Sequence, residues 1–232
     1  MTAIFKRELR SYYRSMTGYA FAAVLLLFTG VYTMAICLNG YYSNFEYVLG
    51  NCCFIFLLLV PILTMKVFAE EKKQKTDQML YALPLGMTKI VLGKYFALIA
   101  VFAVPTAIIC LYPLILSLFG NLAMKTVYST ILAFFLMGAA LLSIGMFIST
   151  LTESQPMAAG LTFVGLLFNY LSTSLAQYVP IGGELLEKLD LFTVIDNFIY
   201  GIFDISGLVF YLSVTGIFLF LTIQSLEKRR WN

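Results

Sequence analysis

The residues able to do chemistry are few and unevenly placed. Histidine is absent, which removes the commonest general base and the commonest metal ligand together. Four cysteines remain: Cys37, Cys52, Cys53 and Cys110. None forms a C-x-x-C pair and all lie in or beside apolar runs, so they read as small buried hydrophobes rather than metal or redox ligands. The ten methionines are scattered and read as packing residues. No G-x-x-x-x-G-K-[ST] occurs, so nothing here is expected to cradle ATP phosphates. The sequence therefore offers no catalytic residue, no metal site and no cofactor of its own. What it does concentrate is charge. The stretch AEEKKQKTDQMLYALPLGMTKIVLGKY, residues 69 to 95, is the densest charge cluster in the chain. Charge without a nucleophile or a base is the chemistry of binding.

The elements around that cluster are apolar. Of 232 residues, 61% are hydrophobic and 12% charged, and mean hydropathy is +0.90. A soluble domain carries about 25% charged residues, and a chain this short has too much surface to hide its apolar side chains in one core. The solvent for most of it is lipid. The expected fold is an all-α integral membrane protein, residues 1–232 forming a single six-span domain. A span needs about 20 apolar residues. Six segments qualify: Tyr19 to Leu38, Tyr47 to Phe68, Ile90 to Phe119, Val127 to Thr150, Met157 to Tyr178 and Leu208 to Leu226. The third is over-long and contains Pro105 and Pro113, which predicts a tilt or a kink. The first apolar run is too long for a signal-peptide core and no A-x-A site follows it, so it is expected to stay.

Orientation follows from lysine and arginine. Lys6, Arg7, Arg10 and Arg14 precede span one; Lys66, Lys72, Lys73, Lys75, Lys89 and Lys94 surround the hairpin after span two; Lys228, Arg229 and Arg230 follow span six. Only Lys125 and Lys188 fall on the other side. Positive residues mark the cytoplasmic face, which predicts that both ends and the hairpin are cytoplasmic. The outer side is acidic, with Glu184, Glu187, Asp190, Asp196 and Asp204 in one segment. Polar residues within the spans are mainly Ser, Thr and Asn, such as Asn169, and not the ionisable groups of a channel or proton-coupled transporter. In span four, Ala139/Ser143 and Gly145/Ser149 are small residues four apart. That spacing lets backbones approach closely, within the chain or across a dimer.

Two further stretches are amphipathic. Over residues 1–16, Ile4, Phe5, Leu9, Tyr12 and Tyr13 fall on one helix face and Lys6, Arg7, Arg10 and Arg14 on the other. This predicts an interfacial helix held beside anionic membrane lipid. Over 179–207, Leu185, Leu186, Leu189, Phe192, Ile195, Phe198 and Ile199 recur at helical spacing, which predicts one or two short extracellular helices at the outer leaflet, as anchors or as part of an exit. In the hairpin, Thr76 can cap a helix that carries Met79, Leu80 and Leu83 and ends at Pro84 and Gly86. An apolar ridge with a charged rim fits a partner protein. A helix held on lipid headgroups by its lysines has the same pattern, and residue chemistry leaves both open.

The longer stretch AEEKKQKTDQMLYALPLGMTKIVLGKYFA resembles the cytoplasmic segment of ABC type-2 exporter permeases. In that family a small residue, two glutamates, basic residues, Gly-Thr, an acid or amide, a leucine pair and Pro follow in this order. Glu70, Glu71, Lys72, Lys73, Thr76, Gln78, Leu80 and Pro84 match; Lys75 stands where glycine is usual and Tyr81 where leucine is common. IDNFIYGIFDISGLVFYLSVTGIFLFLTIQSLEKRRW and FKRELRSYYRSMTGY are similar to the gliding-motility and copper-maturation branch. The resemblance implies a transmembrane permease subunit of an ATP-driven exporter in the cytoplasmic (inner) membrane. It implies pairing with a second permease copy, as homo- or heterodimer. It also implies that the hairpin, residues 70–89, is a coupling helix docked on a separate cytoplasmic ABC ATPase. Glu70, Glu71, Thr76, Gln78, Met79, Leu80, Leu83 and Pro84 would then form the contact, and ATP and Mg²⁺ would belong to that partner. No nucleic-acid partner is expected, and the substrate is not legible, although aromatic, weakly charged spans suit an amphipathic cargo better than a small ion. The alternative is a non-transporting membrane anchor for a cytoplasmic ATPase, which needs the same docking surface. An intramembrane enzyme would need convergent acid, base or nucleophile side chains, and the spans lack them.

Overall fold

Hydrocarbon offers a backbone no water to bond to, so a chain that spans a membrane must satisfy its own N–H and C=O groups, as a helix does. The computed structural model describes residues 2–38, 44–73, 86–118, 122–176 and 188–231. Among these there is no strand. Six helices are long and apolar enough to cross: Thr17–Cys37, Phe45–Lys73, Met87–Leu116, Met124–Leu151, Gln155–Ala176 and Ile205–Lys228. They are the six expected segments with ends moved by a few residues. A separate N-terminal helix, Thr2–Arg14, precedes them.

Spans two and four form the centre of the bundle. In their most apolar windows 72% and 67% of residues are buried, against 22%, 22% and 17% in spans one, five and six. Lipid tails are as apolar as leucine, so the helices are held by close packing rather than by escape from water. Phe56, Phe102 and Phe134 meet at the centre, and Phe102 stacks on Phe135 with ring centroids 5.3 Å apart. Cys52 and Cys53 are buried in the same core. Hydroxyls in the spans turn back on their own helices: Thr29 donates to the Leu25 carbonyl, Thr64 to Val60, Thr106 to Phe102 and Thr162 to Ala158. Each is thereby satisfied without water.

Span three kinks at the second of its two prolines. The helix runs unbroken from Met87 to Ile109 with Pro105 inside it, then turns at Cys110 and Leu111 before a short piece, Tyr112–Leu116. Pro113 cannot donate to the Ile109 carbonyl and its ring crowds that turn.

The small residues of span four serve packing within the chain. Gly138 lies under the Phe102 ring and Gly145 against Thr64 of span two, and Ser143 and Ser149 are fully buried. A Cβ built on Gly145 would sit 2.9 Å from the Thr64 Cβ. Gly→Ala inside a helix normally gains about 1 kcal/mol, but overpacking a full site costs about 1–3 kcal/mol. Gly145→Ala is therefore expected to lower the melting temperature of the detergent-solubilised protein. Gly160→Ala in span five, with nothing within 4 Å of its Cβ, is expected to raise it. Equal shifts for the two variants would contradict the close approach at Gly145.

The described part of the connection between spans five and six packs several of its apolar residues against the protein. Residues 177–187 of the connection, including Glu184, Leu185, Leu186 and Glu187, lie outside the described residues. From 188 onward it is a folded cap with one short helix, Val194–Ile199. Leu191, Phe192, Ile195 and Phe198 are buried in the protein, while Leu189 stays exposed. Hydrogen bonds fix the cap to three spans. Asn169 donates to the Leu189 carbonyl at 2.8 Å and accepts from the Leu191 N–H at 3.1 Å. Thr130 donates to the Phe198 carbonyl at 3.0 Å and Tyr211 to the Leu191 carbonyl at 2.9 Å. Buried Asp190 accepts from Thr173 at 2.6 Å and from the Phe192 N–H at 2.8 Å.

Candidate functional site

The junction where span two meets the charged hairpin is built from three other parts of the chain. The helix Phe56–Thr64 stops, the chain turns, and a short helix, Ala69–Lys73, begins. A helix start leaves N–H groups without intrahelical partners. Here Ser149 of span four accepts from both the Phe68 and Ala69 N–H groups at 3.2 Å. One turn on, Lys72 is 8% exposed and donates to the Thr150 carbonyl. That carbonyl lies in the last turn of span four, where carbonyls lack partners and a cation is the complementary group. The Thr150 hydroxyl in turn meets Ser225 of span six at 3.2 Å.

Lys94 closes the junction from span three. It is 1% exposed, and an ammonium so deeply buried must be paired or hydrogen-bonded. Its Nζ lies 2.8 Å from Glu71 Oε2 and 3.5 Å from Glu8 Oε1. It donates to the Val67 carbonyl at 2.7 Å and sits 4.8 Å from the centre of the Phe68 ring. Arg7 bridges the same two carboxylates from outside, 2.7 Å from Glu8 and 3.0 Å from Glu71. Two cations and two carboxylates thus join the N-terminal helix, the Ala69–Lys73 helix and span three.

The N-terminal helix is docked on the protein. Ile4, Glu8 and Tyr12, each four residues from the next, face inward, with Ile4 packed against Met87 and Ile90. Tyr12 is 4% exposed and donates to the Leu63 carbonyl at 3.2 Å. Burial, and then the negative charges of Glu8, Glu70 and Glu71, push the Tyr12 phenol well above its ordinary range, so it stays protonated as a donor. Burial pulls the Arg7 guanidinium down, but its hydrogen bonds and charge pairing with Glu8 and Glu71 outweigh this and raise it.

The sequence-predicted residues divide accordingly. Glu71 enters the cluster, Glu70 lies half-buried beside it, and Phe5 is half-buried on the docked helix. Lys6, Arg10 and Arg14 are exposed. The sequence pattern treats Lys72 and Lys73 alike, whereas the structure buries Lys72 and exposes Lys73. Successive residues on a helix point about 100° apart, which separates their roles. Thr76, Gln78, Met79, Leu80, Leu83 and Pro84 lie outside the described residues. Sequence reasoning missed Lys94, Glu8 and Ser149. Lys94 had a signal: a lone lysine inside an apolar helix needs a carboxylate at its own depth, and Glu71 ends the preceding span. Among the described residues no cluster of His, Cys, Asp and Glu could hold a metal. The junction can bind, position and transmit.

Residues 28–183, more than half of the chain, match the family model described as ABC-2 family transporter protein. The matched stretch opens in span one, takes in the charged hairpin and closes before the 195–231 stretch that resembles the gliding-motility and copper-maturation branch. The match is to the broad family. No curated protein matches the chain.

Proposed function

This chain belongs to the ABC-2 family of transporter proteins, and on that premise we propose that residues 70–89 dock a separate cytoplasmic ATPase while two permease copies frame the path of an exported substrate. The chain is a multi-pass membrane protein and the transmembrane subunit of an ABC transporter, not the ATPase. The family implies an ABC ATPase partner and, usually, a dimer.

One observation carries the docking reading. The base of the hairpin is clamped at Glu71 to the N-terminal helix and span three, and at Phe68, Ala69 and Lys72 to span four. A partner that moves residues 70–89 therefore acts on three elements at once. A loop serving only to connect two spans has no use for such a base. The lysine and arginine distribution supports placing this end, and both chain ends, on the cytoplasmic side of the inner membrane. The gliding-motility and copper-maturation branch rests on sequence resemblance alone.

Co-purification tests the reading. Solubilised from membranes that contain its ATPase, the chain should elute as two permeases with two ATPase subunits, in line with the symmetry common among oligomers. A single permease that retains ATP-driven transport would contradict it. Hydrolysis stimulated by a transported compound supports an exporter, and hydrolysis indifferent to every exported compound leaves only an anchoring role.

A further inference from the structure

A cavity of about 670 Å³ lies along the exposed face of the N-terminal helix, lined by Lys6, Arg7, Arg10 and Arg14 with Ser11 and Ser15 between them. Lys6, Arg10 and Arg14 are each four residues from the next and form one ridge. No carboxylate pairs with any of the three among the described residues. Two of the nearby acids, Glu8 and Glu71, are held by Arg7 and Lys94. This open face of one helix is therefore strongly positive, with small side chains between its cations. Guanidinium forks suit phosphate oxygens.

Its depth selects the source of the phosphate. Arg14 ends the helix just before Thr17, where span one begins. Met16, at φ 59°, makes the turn between them, and the Ser15 and Thr17 hydroxyls meet at 2.8 Å across it. Tyr13 packs edge-on against Tyr19 with centroids 5.1 Å apart. Tyrosines and basic residues at the foot of a span mark the headgroup layer. We propose that this cavity holds the phosphate-bearing headgroup of one anionic phospholipid molecule, a discrete site beyond diffuse attraction to a charged surface. Arg7 belongs both to the cavity and to the Glu8–Glu71–Lys94 cluster, so the bound lipid bears on the junction that carries the hairpin. The inference rests on the membrane-subunit reading for the depth of the helix, and not on ATPase docking.

The test uses the full chain purified in detergent without its ATPase. Mixed micelles supply phosphatidylglycerol or phosphatidylcholine, and native mass spectrometry counts the lipids retained. The wild type should retain phosphatidylglycerol in preference to phosphatidylcholine. A cation beside an anionic lipid surface contributes about fivefold in affinity, so the Arg10→Gln/Arg14→Gln pair should weaken that retention by roughly 25-fold. Arg10→Lys/Arg14→Lys should keep most of it, which separates charge from folding. Excess inorganic phosphate should not displace the lipid. Unchanged retention in the glutamine pair, equal retention of both lipids, or displacement by inorganic phosphate would each overturn the proposal. Met79→Asp should leave lipid retention intact, so failure of hairpin docking and failure of the lipid site read out separately.

Discussion

Glu71→Ala is expected to cost about 3 kcal/mol of stability, because it strands the buried Lys94 ammonium. Breaking a buried ion pair from one side costs about 3–5 kcal/mol. The lower end applies here, since the Glu71 side chain is 19% exposed and Glu8 remains 3.5 Å from Lys94. For a chain of 232 residues, each kcal/mol moves the melting temperature by about 2–4 °C, so a fall of about 6–12 °C is expected in detergent. Lys94→Met should cost less. It removes the cation that most needs a partner and leaves Glu71 with Arg7 at 3.0 Å. The double variant should be more stable than the sum of the single losses predicts, because an apolar side chain replaces a charge that no longer needs pairing. Thermal unfolding of the three variants measures this. Additive losses would mean that Glu71 and Lys94 do not form an energetic unit.

How much of this was legible in the sequence depended on the range of the interaction. The six spans could be read because hydropathy over about 20 residues decides insertion whatever the spans then pack against. The N-terminal helix could be read from its face pattern, but nothing in that pattern singles out Glu8. Its role depends on Lys94 and Glu71, brought to it only by the tertiary fold. The periodicity over 185–199 could not distinguish lipid from protein as the cover, since both are apolar. The structure decides it for Leu191, Phe192, Ile195 and Phe198, which bury beneath bonds from Asn169, Thr130 and Tyr211. The small residues of span four were ambiguous for a similar reason. Close approach is written in Gly145, but its partner Thr64 lies about eighty residues earlier and appears only in the fold.

The second large effect concerns the ATPase. If residues 70–83 form its docking surface, Met79→Asp or Leu80→Asp places a charge in an apolar contact. A buried, unpaired charge costs several kcal/mol, and about 3 kcal/mol is already more than a hundredfold in affinity. Lys73→Ala is the matched control, because Lys73 is exposed where Lys72 is buried against Thr150. Rim charge of that kind contributes about 1 kcal/mol or less, and its loss should slow association at low salt without abolishing binding. A hairpin that merely rests on lipid headgroups reverses the order: Lys73 would matter for lipid and Met79→Asp would leave the ATPase bound. The deciding measurement is ATPase co-purification with each variant at equal membrane expression. The predicted result is loss of the ATPase from Met79→Asp and Leu80→Asp and its retention by Lys73→Ala. Full ATPase retention in both aspartate variants would contradict docking through this segment.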